Sequence, residues 1–260
     1  MDDEKYSIKA VTRCLKILDL ASGLDRPLTV NDVCDALDIN INMAFRMLST
    51  LVTAGYMVKD EKTGFYSVAL RALHLSRNVL LSLDVRKFAM PYLEMLWNQY
   101  QNANINLAIY YEDEVLLIDR FYSLNIPRTF FYPGKPVPFH CTALGKVLIC
   151  ELDGAALDQL VLKKGLKSFT PKTITDPVML KEELAKVRAE HLARDREEYI
   201  IEDNCNAAPI RNQEGKIIAA VSLAAFENYM TVQEVEETIP ALRNTAYCIS
   251  STMGYQNGMT

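Results

Sequence analysis

The sequence predicts an α+β protein in which three short helices and a β-hairpin are followed by a linker helix and a larger domain around an antiparallel sheet. Three observations support this prediction. Helical periodicity with a tight break occupies residues 29–55, a short strand pair occupies 56–68, and further strand pairs alternate with helices after residue 104. Strand pairs separated by helices favour an α+β arrangement over a doubly wound parallel sheet.

Length and charge bound the class of protein. The chain has 260 residues, half of them hydrophobic, which is enough for two ordinary domains. The longest apolar run, 217–226, is about half of what a membrane span requires, so it predicts a buried strand. Residues 1–5 are acidic and lack an apolar core, so we expect no signal peptide, no membrane association and a cytoplasmic location.

The net charge and the cysteine pattern exclude several classes of protein. A formal net charge of -5 predicts weak non-specific affinity for nucleic acid. The 6 cysteines contain no CxxC pair and the 3 histidines form no zinc-ligand spacing, which predicts reduced thiols and no metal site. The sequence has no Walker loop, no GxGxxG and no HExxH motif, so we expect no cofactor.

A helix-start signature opens the N-terminal pattern at Thr29 and Asp32. The Thr29 hydroxyl can accept a hydrogen bond from the Asp32 amide, and the Asp32 carboxylate interacts favourably with the helix dipole. Asp38, Ile39 and Asn40 interrupt the apolar spacing after barely two turns. The sequence therefore predicts a short helix followed by a tight turn.

A second helix follows Asn40, which can cap it. Its apolar stripe is predicted to contain Ala44, Met47, Leu48, Leu51 and Val52. The residues left facing outwards are Asn42, Met43, Phe45, Arg46 and Ser49. An amide and a guanidinium near the start of such a helix are typical of base-edge contacts in the major groove. Helical hairpins that bind nothing show the same spacing, so at this point both interpretations stay open.

The flanking sequence favours DNA binding. Upstream, Val11, Cys14, Leu15 and Leu18 predict the buried stripe of a first helix that ends at Gly23. Downstream, 56–59 and 65–68 predict a hairpin whose wing carries Lys59 and Lys62. Three helices followed by a two-stranded hairpin is the order of a winged helix-turn-helix, so double-stranded DNA is the expected partner.

A leucine-rich stretch connects this module to the rest of the chain. Residues 69–83 contain neither glycine nor proline and predict a linker helix, in which we expect His74 to be a packed core residue. A helical pattern continues beyond it, with Pro91 expected to start or kink the helix. The predicted domains are 1–68, 69–83 and 84–260.

The C-terminal domain is predicted to contain four strands in two hairpins, an additional short strand and several helices. The strands are 105–111 with 115–121, a short aromatic strand at 129–132, and 205–210 with 217–226. The helices begin near Ala143 and continue at 157–164, 179–194 and 232–252.

A nucleophilic enzyme is the alternative hypothesis. His140 and Cys141 suggest a nucleophile and base, with Asp195 or Asn204 as the orienting group, and Cys205 is a second candidate. Adjacent residues on an extended chain point in opposite directions and rarely form such a pair. We interpret Cys205 as a small wall residue, and the carboxylate run 195–203 as a solvated loop or helix end.

Six segments together resemble one family. AVTRCLKIL, LTVNDVCDALDININMAFRMLSTLVTAGYMV and GFYSV resemble the winged helix-turn-helix of the IclR (isocitrate lyase regulator) family of bacterial transcription factors. In the second half PFHCTALGKVLI, TPKTITDPVMLKEELAKVR and ARDREEYIIEDNCNAAPIRNQEGKIIAAVSLA resemble its proline, histidine and GK segment, its middle helix and its effector-domain signature. The resemblance spans nearly the whole chain.

The resemblance implies a DNA-binding domain, a linker helix and a GAF-like effector-binding domain, acting without catalysis as a homodimer or a dimer of dimers. It implies operator DNA and a small organic acid as partners, and leaves repression and activation open. The positions that match the pocket lining of the family are Ala143 and Leu144, through their backbone amides, with Asp195, Cys205, Ser222 and Ala224. A free helix start and nearby hydroxyl and thiol groups suit an anion.

The chain departs from the family pattern at several positions. His191 and Glu202 replace glycines, Asn206 replaces an aliphatic residue, and Ala224 replaces a serine that some members have. We therefore expect an altered pocket that binds a small carboxylate with an apolar or aromatic body in preference to a sugar acid. The aromatic residues expected near the pocket are Tyr110, Phe130, Phe131 and Phe139. Asp195 should accept from a ligand hydroxyl or hold a proton, since two carboxylates repel each other.

Overall fold

The computed structural model of the chain describes residues 6–125 and 131–256. Two compact units are present, Met1–Ser82 and Leu83–Thr260. The first unit packs around one hydrophobic core, and the second has a core on each face of its sheet.

The first unit has the predicted order of three helices and a hairpin. It contains α1 (Lys9–Gly23), α2 (Val30–Leu37), α3 (Ile41–Thr53), β1 (Met57–Lys59), β2 (Tyr66–Val68) and α4 (Ala72–Ser82). β1 and β2 are antiparallel, and an isolated bridge between Leu28 and Tyr66 ties the hairpin to the segment before α2. This is a winged helix-turn-helix.

The predicted start of α2 is confirmed. The Asp32 amide donates to Thr29 Oγ1 at 3.1 Å, and the Thr29 amide donates to Asp32 Oδ2 at 2.8 Å. Arg26 lies 2.7 Å from the same carboxylate, and the hydrogen bonds it donates hold the pKa of Asp32 below its usual range. Asp38 caps the C-terminal end of α2, and its left-handed φ of 50° turns the chain towards α3.

The stripe predicted for α1 is partly wrong. Ile17 is the fully buried residue of this helix, and Cys14 and Leu18 pack against the same core. Val11 and Leu15, which the spacing placed inside, are 54% and 56% exposed. The buried stripe is rotated along the helix because α3 and the hairpin contact it from the side of Ile17, and an apolar strip of α1 is left at the surface.

The linker region is also more exposed than predicted. α4 spans Ala72–Ser82 and contains no buried residue, so the expectation that His74 packs in a core is wrong for the single chain. Its apolar side chains at the surface include Leu73, Leu75, Val79 and Leu81. The apolar side chains of α4 are therefore not buried against the rest of the first unit.

The second unit is an α+β domain. It contains α5 (Asp84–Gln99), β3 (Asn104–Tyr111), β4 (Glu114–Phe121), β5 (Pro136–Val137), α6 (Ala143–Ile149), α7 (Gly154–Lys164), α8 (Pro177–Glu190), β6 (Ala193–Arg196), β7 (Asp203–Arg211), β8 (Ile217–Phe226), α9 (Val232–Glu237) and α10 (Ile239–Thr252). The strands form one sheet in the order β5-β4-β3-β8-β7-β6, and every pair of neighbours is antiparallel. The predicted antiparallel sheet is therefore confirmed.

Helices cover both faces of this sheet. Side chains such as Ala207 and Ala220 on one face pack with α6, α7 and α8, while Ile105 and Val221 on the other pack with α5, α9 and α10. Because both faces are buried, β8 in the middle of the sheet is a nearly continuous run of small and branched apolar residues. A polar residue on either face is therefore an exception that needs a reason.

Several elements differ from the predictions. The helix predicted for 179–194 ends at Glu190, because His191 adopts a left-handed φ of 50°, and Arg194 lies in β6. The helix predicted for 232–252 is two helices, because α9 ends before Thr238 and α10 begins after it, with Pro240 in the first turn of α10. The strand predicted at 129–132 lies partly outside the described residues, and Phe131 and Tyr132 are not in a strand.

No helix in the described part of the chain is long and apolar enough to cross a membrane. Within 6–125 and 131–256, no group of three or more His, Cys, Asp or Glu side chains is arranged to hold a metal ion. All six cysteines are free thiols.

Candidate functional site

The second helix of the helix-turn-helix, α3, presents the predicted face to solvent. Asn40 caps it by accepting from the Met43 amide at 2.9 Å. Ala44, Leu48 and Leu51 are buried beneath. The outward residues Asn40, Asn42, Met43, Phe45 and Arg46 are exposed, and Ser49 is half-buried. An exposed polar and aromatic face on a helix that is fixed from below is suited to entering a groove.

One neighbour of this face was missed by the sequence argument. Arg13 of α1 donates from Nη1 to the Met43 sulfur at 3.2 Å, so a second guanidinium lies next to the start of α3. Its position could not be inferred from spacing, because it depends on how α1 and α3 cross.

Hydrogen bonds within the turn between β1 and β2 stabilise the wing. The Asp60 carboxylate accepts from the amides of Lys62 at 2.8 Å and Thr63 at 3.2 Å, and Gly64 takes a φ of 74° that favours glycine. These hydrogen bonds lower the pKa of Asp60. Lys62 is exposed, whereas Lys59 is half-buried and forms an ion pair with Glu61 at 3.3 Å.

The second unit encloses a cavity between its sheet and the start of α6. The volume of the cavity is about 40 Å³, which is enough for a few water molecules or a very small ligand. Its lining includes Ala143, Leu144, Asp195, Cys205, Ser222 and Ala224, which the family resemblance had placed together. Phe130, the remaining predicted pocket residue, lies outside the described residues.

Strand register explains how these distant residues meet. Asn104 lies opposite Ala224, Ala224 opposite Cys205, and Cys205 opposite Asp195, which forms one row across β3, β8, β7 and β6. The next row runs from Arg120 to Asn106 to Ser222. Because side chains two residues apart share a face, both rows form the floor of the cavity.

The roof depends on a glycine in α6. Thr142 caps this helix, accepting from the Gly145 amide at 3.0 Å. A Cβ at Gly145 would overlap with the backbone of Phe139, so only glycine allows α6 to approach this closely. Phe131, Val137 and Tyr199 complete the lining at the sides.

The sequence argument missed the most polar part of the lining. Asn104, Asn106, Arg120 and Asp203 line the cavity. The first three were not singled out, and Asp203 was assigned to the solvated run. A signal was available for Asn106, which is a polar residue between Ile105 and Leu107 in β3. The meeting of these polar residues at one cavity, however, follows from the order of the strands in the sheet. Of the predicted aromatic residues, Phe131 lines the cavity, while Tyr110 and Phe139 pack in the adjoining core.

The acidic run 195–203 is not a solvated loop, so that interpretation is wrong. Asp195 is 4% exposed and accepts from the Glu198 amide at 2.8 Å, and burial raises the pKa of its carboxyl well above the usual range. Burial also raises the pKa of Asp203 to about 7, against the opposing effect of the Arg120 charge. Glu202 alone of the five carboxylates is fully at the surface. The run bends back on itself and places two carboxyls in the cavity.

A buried lysine lies behind Asp195. Lys146 of α6 is 1% exposed and donates to Glu198 Oε1 at 2.5 Å, to Glu183 Oε1 at 3.2 Å and to the Arg194 carbonyl at 2.9 Å. Two carboxylates and a carbonyl compensate for the loss of water around the ammonium. Lys146 therefore ties α6 to α8 and to the segment that positions Asp195.

The thiols do not have the environment of nucleophiles. Burial is the main cause that raises the pKa of both Cys141 and Cys205, which favours the unreactive thiol form. His140 is buried, and its Nε2 lies 3.0 Å from the Lys167 carbonyl. Burial lowers the pKa of His140.

One departure from the family pattern has a structural role. Asn206 is fully buried, donates from Nδ2 to the Val235 carbonyl at 2.9 Å and accepts from Arg196 at 2.8 Å. It points away from the cavity, towards α9, since its neighbour Cys205 faces the cavity. Ala224, by contrast, does line the cavity.

Comparison with known proteins supports one family. The model of the bacterial transcriptional regulator IclR C-terminal domain matches residues 77–251, and that of the IclR helix-turn-helix domain matches 10–61. The transcriptional repressor AllR of Salmonella typhi is 26% identical over 246 residues, covering 95% of this chain and 90% of AllR.

Solved structures match over nearly the whole length of the chain. A transcriptional regulator from Rhodococcus sp. RHA1 is 27% identical with a TM-score of 0.79, covering 95% of this chain and 98% of that one. An IclR homologue from Microbacterium hydrocarbonoxydans, solved as a complex with 4-hydroxybenzoate, is 23% identical with a TM-score of 0.78 and covers 94% and 98% of the two chains. With both family models matched in order on a winged helix-turn-helix and a separate α+β domain, the chain belongs to the IclR family of bacterial transcriptional regulators.

Proposed function

We propose that this regulator binds operator DNA through α3 and the wing, and that a small carboxylate in the C-terminal cavity changes its DNA affinity. One observation carries the effector half of the proposal. Ala143, Asp195, Cys205 and Ser222 come from four separate segments, and all four line a single cavity in a domain separate from the helix-turn-helix. We propose domains of 1–68, 69–83 and 84–260 for these roles.

The DNA half is supported by the surface of α3. Asn42 and Arg46 are exposed, can make bidentate hydrogen bonds to bases and have apolar neighbours that suit a thymine methyl group, chiefly Phe45 at 51% exposure. Lys62 on the wing and Arg13 on α1 can contact phosphates on either side. Since the net charge is -5, affinity must come mainly from such specific contacts.

The effector proposal favours a small carboxylate with an apolar body. Leu144, Val137 and Phe131 supply apolar lining, while Asp195 and Ser222 can hydrogen-bond to polar atoms. In the present state the cavity is too small for an aromatic acid, so binding one requires side chains such as Phe131 and Tyr199 to move.

The enzyme alternative has less support. A cysteine nucleophile needs thiolate character, and burial acts against it at both Cys141 and Cys205. We therefore propose that the cavity binds its ligand without transforming it.

A gel-retardation assay with the DNA upstream of the protein's own gene tests this proposal. Wild-type protein should retard that DNA and not a scrambled duplex of equal length. The panel to add comprises pyruvate, lactate, succinate, benzoate and 4-hydroxybenzoate. At least one member should change the retarded fraction and be recovered unchanged by mass spectrometry. Turnover of that compound would support the enzyme alternative, and absence of specific retardation would contradict the regulator.

A further inference from the structure

The cavity is lined by both acidic and basic side chains. Among the described residues, the ionisable groups that line it are Arg120 on β4, Asp195 on β6, Asp203 and Cys205 on β7, and Tyr199 from the segment between β6 and β7. Arg120 is the cation in this group. The Lys146–Glu198 ion pair lies behind Asp195 and does not line the cavity.

Arg120 is a buried guanidinium held by aromatic rings. It is 8% exposed, and its guanidinium carbon lies 5.1 Å from the ring centre of Tyr122 and 5.2 Å from that of Phe131. Stacking of this kind fixes the guanidinium plane, and burial makes any charge that reaches it interact strongly.

Two oxygen atoms beside it are buried without hydrogen-bond partners among the described residues. Asn106 lies opposite Arg120 in the β3–β4 register and is 5% exposed. Its Nδ2 donates to Ser222 Oγ at 3.0 Å, and its Oδ1 accepts from none of the described groups. Asp203 Oδ1 is the second such atom. Buried polar atoms without partners in a native fold point to a ligand, water or proton that completes them.

We propose, building on the proposed effector function, that Arg120 binds the carboxylate of the effector and that Asp203 must carry a proton when it does. Arg120 interacts electrostatically with Asp203. An effector carboxylate would pair with Arg120 in place of Asp203. An ionised Asp203 in the same cavity would then repel the effector carboxylate. Proton uptake from solvent by Asp203 removes the repulsion and turns its carboxyl into a hydrogen-bond donor.

Among the ionisable groups of the cavity, Asp203 is the one whose charge we expect to change near neutral pH. Burial raises the pKa of Asp195 well above its usual range, burial favours the neutral thiol of Cys205, and arginine keeps its charge. Burial raises the pKa of Asp203 to about 7, and a bound carboxylate raises it further. The liganded state therefore holds more protons than the free state above pH 7, so affinity is highest below pH 7 and falls as the pH rises.

Isothermal titration calorimetry on the full chain tests the proposal. The probe is whichever of pyruvate, lactate, benzoate or 4-hydroxybenzoate binds wild type most tightly at pH 6.5, together with its primary amide. Wild type should bind the carboxylate at least about fivefold more weakly at pH 8.5 than at pH 6.5, since one linked proton permits up to about tenfold per pH unit. Titrations at pH 7.5 in buffers of different ionisation enthalpy should show net proton uptake.

Two variants and two controls separate the roles. Asp203→Asn should bind the carboxylate with little pH dependence, whereas Glu202→Gln, which removes an exposed neighbouring carboxylate, should retain the wild-type dependence. Arg120→Gln should lose at least about tenfold in affinity for the carboxylate and little for the amide, whereas the exposed Arg243→Gln should behave as wild type. If Arg120→Gln fails to fold, the preference of the wild type for the carboxylate over its amide carries the same test.

The outcomes distinguish this proposal from the proposed function. Carboxylate binding that Arg120→Gln leaves unchanged, or a pH dependence that survives in Asp203→Asn, would overturn the assignment while leaving the effector function intact. Binding of no carboxylate by the wild type would overturn both.

Discussion

Lys146 Nζ and Glu198 Oε1 lie 2.5 Å apart in the interior of the C-terminal domain. The same Glu198 donates its backbone amide to Asp195, so this ion pair couples α6, which forms the roof of the cavity, to a residue of its floor. Its partners are 52 positions apart in the sequence.

Lys146→Met should destabilise the protein by about 3–5 kcal/mol, because it leaves the buried Glu198 carboxylate without its counter-ion. Urea unfolding followed by circular dichroism measures this. Lys172→Met is the matched control, since Lys172 forms an exposed pair with Glu197 and its loss should cost about 0–1 kcal/mol. Equal losses in the two variants would show that burial of the Lys146 pair has no energetic consequence.

The sequence was most informative where its signals are local. The capping residues Thr29 and Asn40 and the outward position of Arg46 follow from neighbours within a few positions, and the structure has them as predicted. The exposed Leu15 shows the limit of this approach. Helical spacing identifies an apolar stripe but does not reveal whether its partner belongs to the same chain.

The cavity was predicted in part for a different reason. Ser222 and Cys205 were placed by family resemblance, whereas Arg120 and Asp203 belong to strands whose neighbours are fixed only by the order of the whole sheet. Local patterns carry no information on that order. The acidic run was wrongly interpreted because it contains a sharp turn that directs Asp195 and Asp203 inwards. The residues at positive φ in this turn are Glu197 and Glu202, and no glycine at these positions indicates the turn in the sequence.

Arg46→Ala should abolish specific operator binding without unfolding the protein. Arg46 is exposed on α3, and a bidentate contact to guanine is worth about 1–3 kcal/mol. Fluorescence anisotropy with operator and random duplexes at one salt concentration measures the loss. Lys62→Ala is the comparison, since a wing lysine that contacts phosphate should weaken binding to both duplexes alike. The same uniform weakening in Arg46→Ala would contradict base reading.

The exposed apolar surface of the first unit should be a dimer interface. Val11 and Leu15 of α1, with Leu73 and Leu81 of α4, are each more than half exposed, and one recognition helix with little surrounding positive charge is insufficient for tight binding. Light scattering should give a dimer for fragment 1–83, and a dimer or a dimer of dimers for the full chain. On the operator, the two half-sites should lie about one helical turn apart or a multiple of it.

Leu15→Glu in the full chain should weaken this dimer, whereas Glu61→Lys on the exposed wing should not. A fragment that is strictly monomeric at micromolar concentration would count against the interface.

Ser222→Ala should weaken effector binding about two- to tenfold, because it removes a buried hydroxyl of the cavity floor that accepts from Asn106. Calorimetry with the panel carboxylates and with gluconate measures the change. The apolar lining predicts that gluconate binds more weakly than the preferred acid. Tight gluconate binding that is lost in Ser222→Ala, with no response to aromatic acids, would reverse the proposed ligand preference.

The most direct test of the whole account is the dissociation constant of the operator complex, measured by anisotropy with and without a saturating concentration of the tightest-binding carboxylate. In the wild type the carboxylate should change this constant. In Arg120→Gln, which binds the carboxylate at least about tenfold more weakly, the same concentration should change it clearly less, while operator binding without ligand stays as in the wild type. An operator affinity that does not respond to an acid shown by calorimetry to occupy the protein would contradict the claim that the cavity controls the helix-turn-helix.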